Sequence, residues 1–155
     1  HLQKQHLAQA LEEFVGSGNP LMGICLGMQL LVESSDEFGQ HKGLGLILGK
    51  TTLLAPSEKV KVPHIGWNSL LIPETQQQES WNNSVLKDIS MGRDFYFVHS
   101  HCVKTDKPQD TLAETVYGGV YFASVIKKGN VMGCQFHPEK SGEIGLKLVK
   151  NFLDL

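Results

Sequence analysis

Three residues of this chain have the types and the setting for nucleophilic acyl chemistry: Cys25, His137 and Glu139. Cys25 sits in Gly23-Ile24-Cys25-Leu26-Gly27, a G-x-C-x-G element entered from Pro20-Leu21-Met22 and left through Met28-Gln29-Leu30-Leu31-Val32. A strand that feeds a sharp glycine-flanked turn and then a helix lifts a side chain above a sheet edge, because only small neighbours fit such a backbone. A thiol normally titrates near ~8.5, and a helix N-terminus with a facing imidazole lowers it. Cys25 is therefore expected to be a thiolate nucleophile, with His137 its base. Glu139 lies two residues further on, and Pro138 fixes the backbone between them, so the carboxylate can turn back and hold the imidazole tautomer. The backbone N–H of Leu26 is a candidate oxyanion donor, and a second donor must come from elsewhere. Gln29, one helical turn after Cys25, projects on the same side and can contact a bound amino acid.

These residues need elements that bring them together, since 112 positions separate Cys25 from His137 (137 − 25). Leu2, His6, Leu7, Ala10, Leu11, Phe14 and Val15 recur at helical spacing, and Gly16-Ser17-Gly18-Asn19-Pro20 ends that helix. A strand at 21–24 and a helix at 26–33 follow, then a polar loop at 34–39. Segment 42–54 reads as a turn and a strand, 62–71 as β, and the glutamine-rich 73–83 as a surface loop. Four β-rich runs, 95–98, 112–116, 120–126 and 131–136, precede a closing amphipathic helix at 142–155. The order predicts an α/β protein: a three-layer, open, mostly parallel sheet flanked by helices, with an antiparallel subsection, in one domain over residues 1–155. Cys25 and His137 then both fall at strand C-termini, the rim where open α/β sheets bind ligands.

Composition narrows the function classes. With 155 residues, 41% hydrophobic and 19% charged, the chain is long enough for one core. Fourteen basic against sixteen acidic residues leave a net charge of −2, which argues against nucleic acid and lipid surfaces as partners. No apolar run approaches the ~18 residues of a membrane span. Three cysteines without a C-x-x-C pair argue against a disulfide framework, and cytoplasmic localisation is expected. Cys102 and Cys134 read as small buried hydrophobes. His99 and His101 share a strand face, but no further ligand completes a metal site, so no metal is expected. His64 reads as a packing histidine, and His1 and His6 as solvent-facing.

Pro20 to Leu31 and Gln135-Phe136-His137-Pro138-Glu139-Lys140-Ser141 together resemble the nucleophile and base motifs of the class I (triad) glutamine amidotransferases. Lys42-Gly43-Leu44-Gly45-Leu46, Val62-Pro63-His64-Ile65-Gly66-Trp67-Asn68 and Tyr96-Phe97-Val98-His99-Ser100 are similar to the HisH type, the glutaminase subunits of imidazole glycerol phosphate synthases. The resemblance runs through nearly the whole chain. It implies the flavodoxin-like fold of that class, and hydrolysis of L-glutamine to glutamate and ammonia with no cofactor. It also implies a heterodimer with a β/α-barrel cyclase that uses the ammonia to form imidazole glycerol phosphate and AICAR. Position by position, it implies a triad of Cys25, His137 and Glu139. The implied glutamine-binding surface takes in Leu26, Gln29, Glu37 and the His99-Ser100-His101 backbone. The implied cyclase-facing residues are His64, Trp67, Asn68 and Lys140.

Two departures accompany the resemblance. Members of the class open with a strand, a helix and a glycine-rich oxyanion strand of the Pro-Gly-Val-Gly kind. Nothing before Leu2 matches these, so the expected fold lacks its N-terminal strands in this chain. His101 and Cys102 stand where tyrosines are usual, with little consequence expected if mainly their backbone meets glutamine. Two other readings stay open: a paralogous subunit supplying ammonia to a sugar amidotransferase of surface-polysaccharide synthesis, and a non-catalytic binding module that keeps the fold.

Overall fold

Apolar periodicity and turn chemistry account for most of the elements in the computed structural model, which describes residues 6–155. The expectations for His1 and Leu2 lie outside the described residues. In chain order the elements are α1 (Leu7–Gly16), β1 (Leu21–Ile24), α2 (Leu26–Leu31), β2 (Ser34–Ser35), β3 (His41–Lys42), β4 (Gly49–Leu53) and β5 (His64–Ser69). They continue with β6 (Asp94–His99), β7 (His101–Thr105), β8 (Thr111–Tyr117), β9 (Val120–Lys128), β10 (Val131–Cys134) and α3 (Gly142–Leu153).

Among the described residues three sheets result, in strand orders β1-β10-β9-β8, β3-β2-β4-β7 and β5-β6. Parallel pairing occurs at β1–β10 and β2–β4, whereas the other pairs are antiparallel. Among the described residues the antiparallel portion is thus larger than the sequence pattern predicts. The reason is local. Gly118 and Gly119, at φ 58° and 86°, close the β8–β9 hairpin in two residues, and Gly129 at φ 59° begins the β9–β10 turn. Such left-handed two-residue turns match the strand twist and force antiparallel neighbours, while parallel ones need long crossovers.

The strand β10 is buried on both faces, which explains why its sequence shows no polar alternation. One face meets α2: a Cβ on Gly133 would come within 2.8 Å of the Met28 side chain. Met132 and Cys134 point the other way, into a cluster with Phe95, Phe97, Phe136 and Leu148 of α3. Helix, sheet and helix form the expected layers. A second cluster, with Met28, Leu31, Val32, Ile47, Val103 and Ile126, joins α2 to the β4–β7 sheet. In α1 no side chain is buried, and Asn130 pins its C-terminal end and the turn after it by donating to the Val15 and Asn19 carbonyls.

The segment expected to be a plain surface loop, 73–83, instead carries a short 3-10 turn over Gln78–Trp81. Trp81 is buried and its Nε1 donates to the Leu112 carbonyl at 2.8 Å. A single large aromatic in a polar stretch is enough to anchor that stretch to the core.

Candidate active site

The β1–β10 register builds the site. Leu21, Met22, Gly23 and Ile24 lie beside Val131, Met132, Gly133 and Cys134, so both strands end at the same edge. The Cys25 N–H then donates to the Cys134 carbonyl at 2.8 Å, which holds the turn against β10. Cys25 itself adopts φ 50°, ψ −107°, a conformation that L-residues populate only under constraint. Two features enforce it. α2 starts at once with Leu26, and a Cβ on Gly23 would lie 2.5 Å from the Gly27 backbone. Gly27 is different, since a Cβ there meets nothing within 4 Å. Of the two flanking glycines, the first is the steric requirement.

His137 reaches the same edge three residues after β10 ends. Its N–H donates to the Tyr96 carbonyl at 2.8 Å. The buried Ser141 hydroxyl donates to the His137 carbonyl at 2.6 Å and accepts from the Tyr96 N–H at 3.0 Å. Strand β6 therefore fixes the turn that carries the imidazole. Within that turn His137 Nδ1 lies 2.7 Å from Glu139 Oε1. An ionised carboxylate only accepts, so Nδ1 bears the proton and Nε2 presents its lone pair.

The thiol differs from expectation. Its pKa is raised: burial is the largest cause, with the Glu139 and Glu37 carboxylates adding to it. The Leu26 N–H and the Gln135 carboxamide oppose the shift. α2 has only six residues, so its aligned peptide dipoles are too few to outweigh desolvation. As a resting thiol, Cys25 donates weakly to the Val98 carbonyl at 3.8 Å.

The expected glutamine-binding residues line up around this edge in unequal ways. Leu26 is 57% exposed, with its N–H beside the sulfur. Gln29 is buried, and its Nε2 donates to the His101 carbonyl at 2.9 Å and to Gln135 Oε1 at 3.3 Å. Only its Oε1 lacks a protein partner among the described residues. Glu37 is half-buried, its Oε1 3.3 Å from His101 Nδ1, while Asp36 Oδ1 lies 3.8 Å from His101 Nε2. Ser100 links β6 to β7 and its carbonyl accepts from the Leu54 N–H at 2.8 Å. His99 and His101 fall on different strands, and among the described residues no group of three or more potential ligands could hold a metal ion.

The expected partner-facing residues divide. Trp67 is 53% exposed, edge-on to Tyr96 with ring centroids 5.9 Å apart, and Lys140 is exposed. Asn68 is half-buried, and its amide donates to the Val116 carbonyl at 2.9 Å. His64 does not lie on the surface of this chain. It is 1% exposed, and its ring stacks on Phe97 and Tyr117 at centroid distances of 5.1 and 4.1 Å. Its Nδ1 lies 3.0 Å from His99 Nε2. The period-two alternation of β5 explains this: Ile65 and Trp67 face out, so His64 faces in.

Gln135 stands in the base motif, but the sequence reading assigns it no role. Its signal was present, as the one strongly polar residue in the apolar run Val131 to Phe136. Its carboxamide Nε2 lies 3.7 Å from Cys25 Sγ.

The Glutamine amidotransferase class-I family matches residues 3–155. Imidazole glycerol phosphate synthase subunit HisH 1 of Legionella pneumophila (strain Lens) is 46% identical over 152 residues, covering 95% of this chain and 70% of that protein. Subunit HisH of Helicobacter hepaticus (strain ATCC 51449 / 3B1) is 49% identical over 156 residues, covering 100% of this chain and 69% of its own. Solved structures agree on the fold. A glutamine amidotransferase crystal structure superposes with a TM-score of 0.69 at 15% identity, over 99% of this chain and 69% of its own. PurLQS from Thermotoga maritima gives 0.66 at 21% identity, over 96% and 67%. A strand-turn-helix cysteine, a histidine on the neighbouring strand end and these matches converge: the chain belongs to the class-I glutamine amidotransferases and, within them, to the family of the HisH subunits.

Proposed function

We propose that this chain is the glutaminase subunit of an imidazole glycerol phosphate synthase, releasing ammonia from L-glutamine for a separate cyclase subunit in histidine biosynthesis. The observation that carries the reading is the parallel β1–β10 register, which sets Cys25 and the His137–Glu139 pair on one rim. Identities of 46–49% to HisH subunits support the same assignment.

Chemically, the Cys25 proton passes to His137 Nε2 as the sulfur attacks the side-chain amide carbon of glutamine. The resulting oxyanion is met by the Leu26 N–H. Collapse of the tetrahedral species breaks the C–N bond, and His137 gives its proton to the departing ammonia. Water, deprotonated by the same nitrogen, then cleaves the γ-glutamyl thioester to glutamate. Glu139 keeps the Nδ1–H tautomer throughout and offsets the imidazolium charge. With the resting thiol held up by burial, attack needs His137 as a true base, and a partner that reshapes this rim is a natural activator.

The deciding experiment is Cys25→Ala in the complex with the cyclase. Glutamine-dependent synthesis should vanish while synthesis from added ammonium salt persists. Loss of both activities would count against the assignment.

A further inference from the structure

The carboxamide of Gln135 is fully buried, and its orientation can be deduced from a group that cannot be reversed. The His101 carbonyl oxygen only accepts, and it receives hydrogen bonds from His99 Nδ1 at 2.9 Å and from the Gln29 side chain at 2.9 Å. The Gln29 atom facing it must therefore be the nitrogen. That same nitrogen lies 3.3 Å from a Gln135 side-chain atom, which must be Oε1 to accept. The remaining Gln135 atom, 3.7 Å from Cys25 Sγ, is then Nε2, and it presents an N–H to the sulfur. A backbone carbonyl on β7 thus dictates, through two amides, that the sulfur faces a donor rather than an acceptor.

We propose that Gln135 is a further functional residue of the thiol chemistry, its N–H stabilising the Cys25 thiolate as it forms at attack and again as it leaves the thioester. Gln29 is the positioning residue that keeps this carboxamide from flipping. No proton is relayed through the amide: the thiol proton goes to His137, and the Gln135 N–H stays on nitrogen while its hydrogen bond strengthens with the charge on sulfur. The need is evident from the surroundings. Cys25 is partly desolvated, the Glu139 and Glu37 carboxylates disfavour a second negative charge, and the Val98 carbonyl offers the sulfur only an acceptor. The groups that oppose the shift are the Leu26 N–H and the Gln135 carboxamide.

The inference rests on the glutaminase reading for its purpose, and its test does not require glutamine. In the full chain, alkylation of Cys25 by iodoacetamide is followed against pH by peptide mass mapping, which separates it from Cys102 and Cys134. Gln135→Met keeps the side-chain length and removes the donor, and should move the midpoint upward by about one pH unit. An unmoved midpoint with Cys25 still alkylated would overturn the proposal. Should that variant fail to fold, the wild-type side-chain amide decides: the Gln135 Hε proton resonances should titrate with the same midpoint as Cys25 alkylation, and resonances that ignore it would overturn the proposal equally. A diazoketone analogue of glutamine tests the underlying reading separately, because a Cys25 that iodoacetamide modifies and the analogue never does would sink the glutaminase assignment alone.

Discussion

His137 Nδ1 and Glu139 Oε1 stand 2.7 Å apart across a single proline. Proline between them restricts the backbone, and the short 3-10 turn over Pro138–Lys140 brings the carboxylate back onto the ring. Glu139→Gln keeps the shape and lets the amide select the other imidazole tautomer. A fully buried carboxylate in that role can be worth ~10⁴ in rate. Glu139 is more than half exposed, so the expected fall in glutaminase kcat is about 10²-fold, with KM nearly unchanged. Steady-state kinetics of the synthase complex measure it, and an unaltered kcat would remove Glu139 from the mechanism.

The buried His64–His99 pair predicts how stability depends on pH. Desolvation, opposed by the bond to the His101 carbonyl and helped by neighbouring imidazoles, holds His99 down to about 4. Burial lowers His64 as well. In the unfolded chain each titrates near ~6.5, so between that value and about 4 the unfolded state binds more protons. Stability is therefore complete above that window and falls as pH drops through it. By pH 5 the loss from His99 alone should be roughly 2 kcal/mol. Urea unfolding of wild type and His99→Gln at pH 7.5 and pH 5 checks this: the wild type should lose more of its stability than the variant. Equal losses would mean that His99 is readily protonated in the fold.

Much of this architecture was readable in the residues, and the exceptions share a cause. β1, α2, β5, β6, β8, β9, β10 and α3 follow from apolar periodicity and turn glycines. The His137–Glu139 contact follows from two-residue spacing. What escaped depends on register between distant segments: Gln135 meets Cys25 only because Ile24 pairs with Cys134. The inward turn of His64 and the burial of Trp81 are likewise tertiary outcomes, since β5 pairs with β6 and Trp81 reaches the Leu112 carbonyl. The thiol is shifted away from the expected thiolate because burial outweighs the Leu26 N–H and the Gln135 carboxamide, and the depth of a side chain depends on the assembled fold.

Trp67 offers a test of the partner face. It stands out from β5 beside the exposed Ile65, edge-on to Tyr96, whose carbonyl and N–H hold the His137 turn. An exposed tryptophan contributes little to the fold and a great deal to an interface when covered. Trp67→Ala should leave the unfolding midpoint nearly unchanged and weaken binding of the proposed cyclase partner by about 30-fold, equivalent to roughly 2 kcal/mol. Calorimetric titration of the two subunits measures the effect, and an unchanged affinity would place the partner on another face.

Gly23 and Gly27 look equivalent in sequence, yet their surroundings predict opposite responses to a methyl group. At Gly23 the added carbon would sit 2.5 Å from the Gly27 carbonyl carbon and oxygen, and the colliding atoms are backbone, so no rotamer change relieves them. α2 would have to lift from β1, and Cys25, between the two, would lose its conformation. Gly23→Ala should cost about 3 kcal/mol and abolish activity. At Gly27, inside α2, the carbon meets nothing, and the residue is absent from the positive-φ positions. Gly27→Ala should raise stability by about 0.5–1 kcal/mol through helix propensity. Urea denaturation of the two variants separates them, with the kinetics of Gly27→Ala showing whether the open space above α2 is needed by glutamine. Equal destabilisation by both substitutions would mean that the contact between α2 and β1 is looser than the Gly23–Gly27 approach implies.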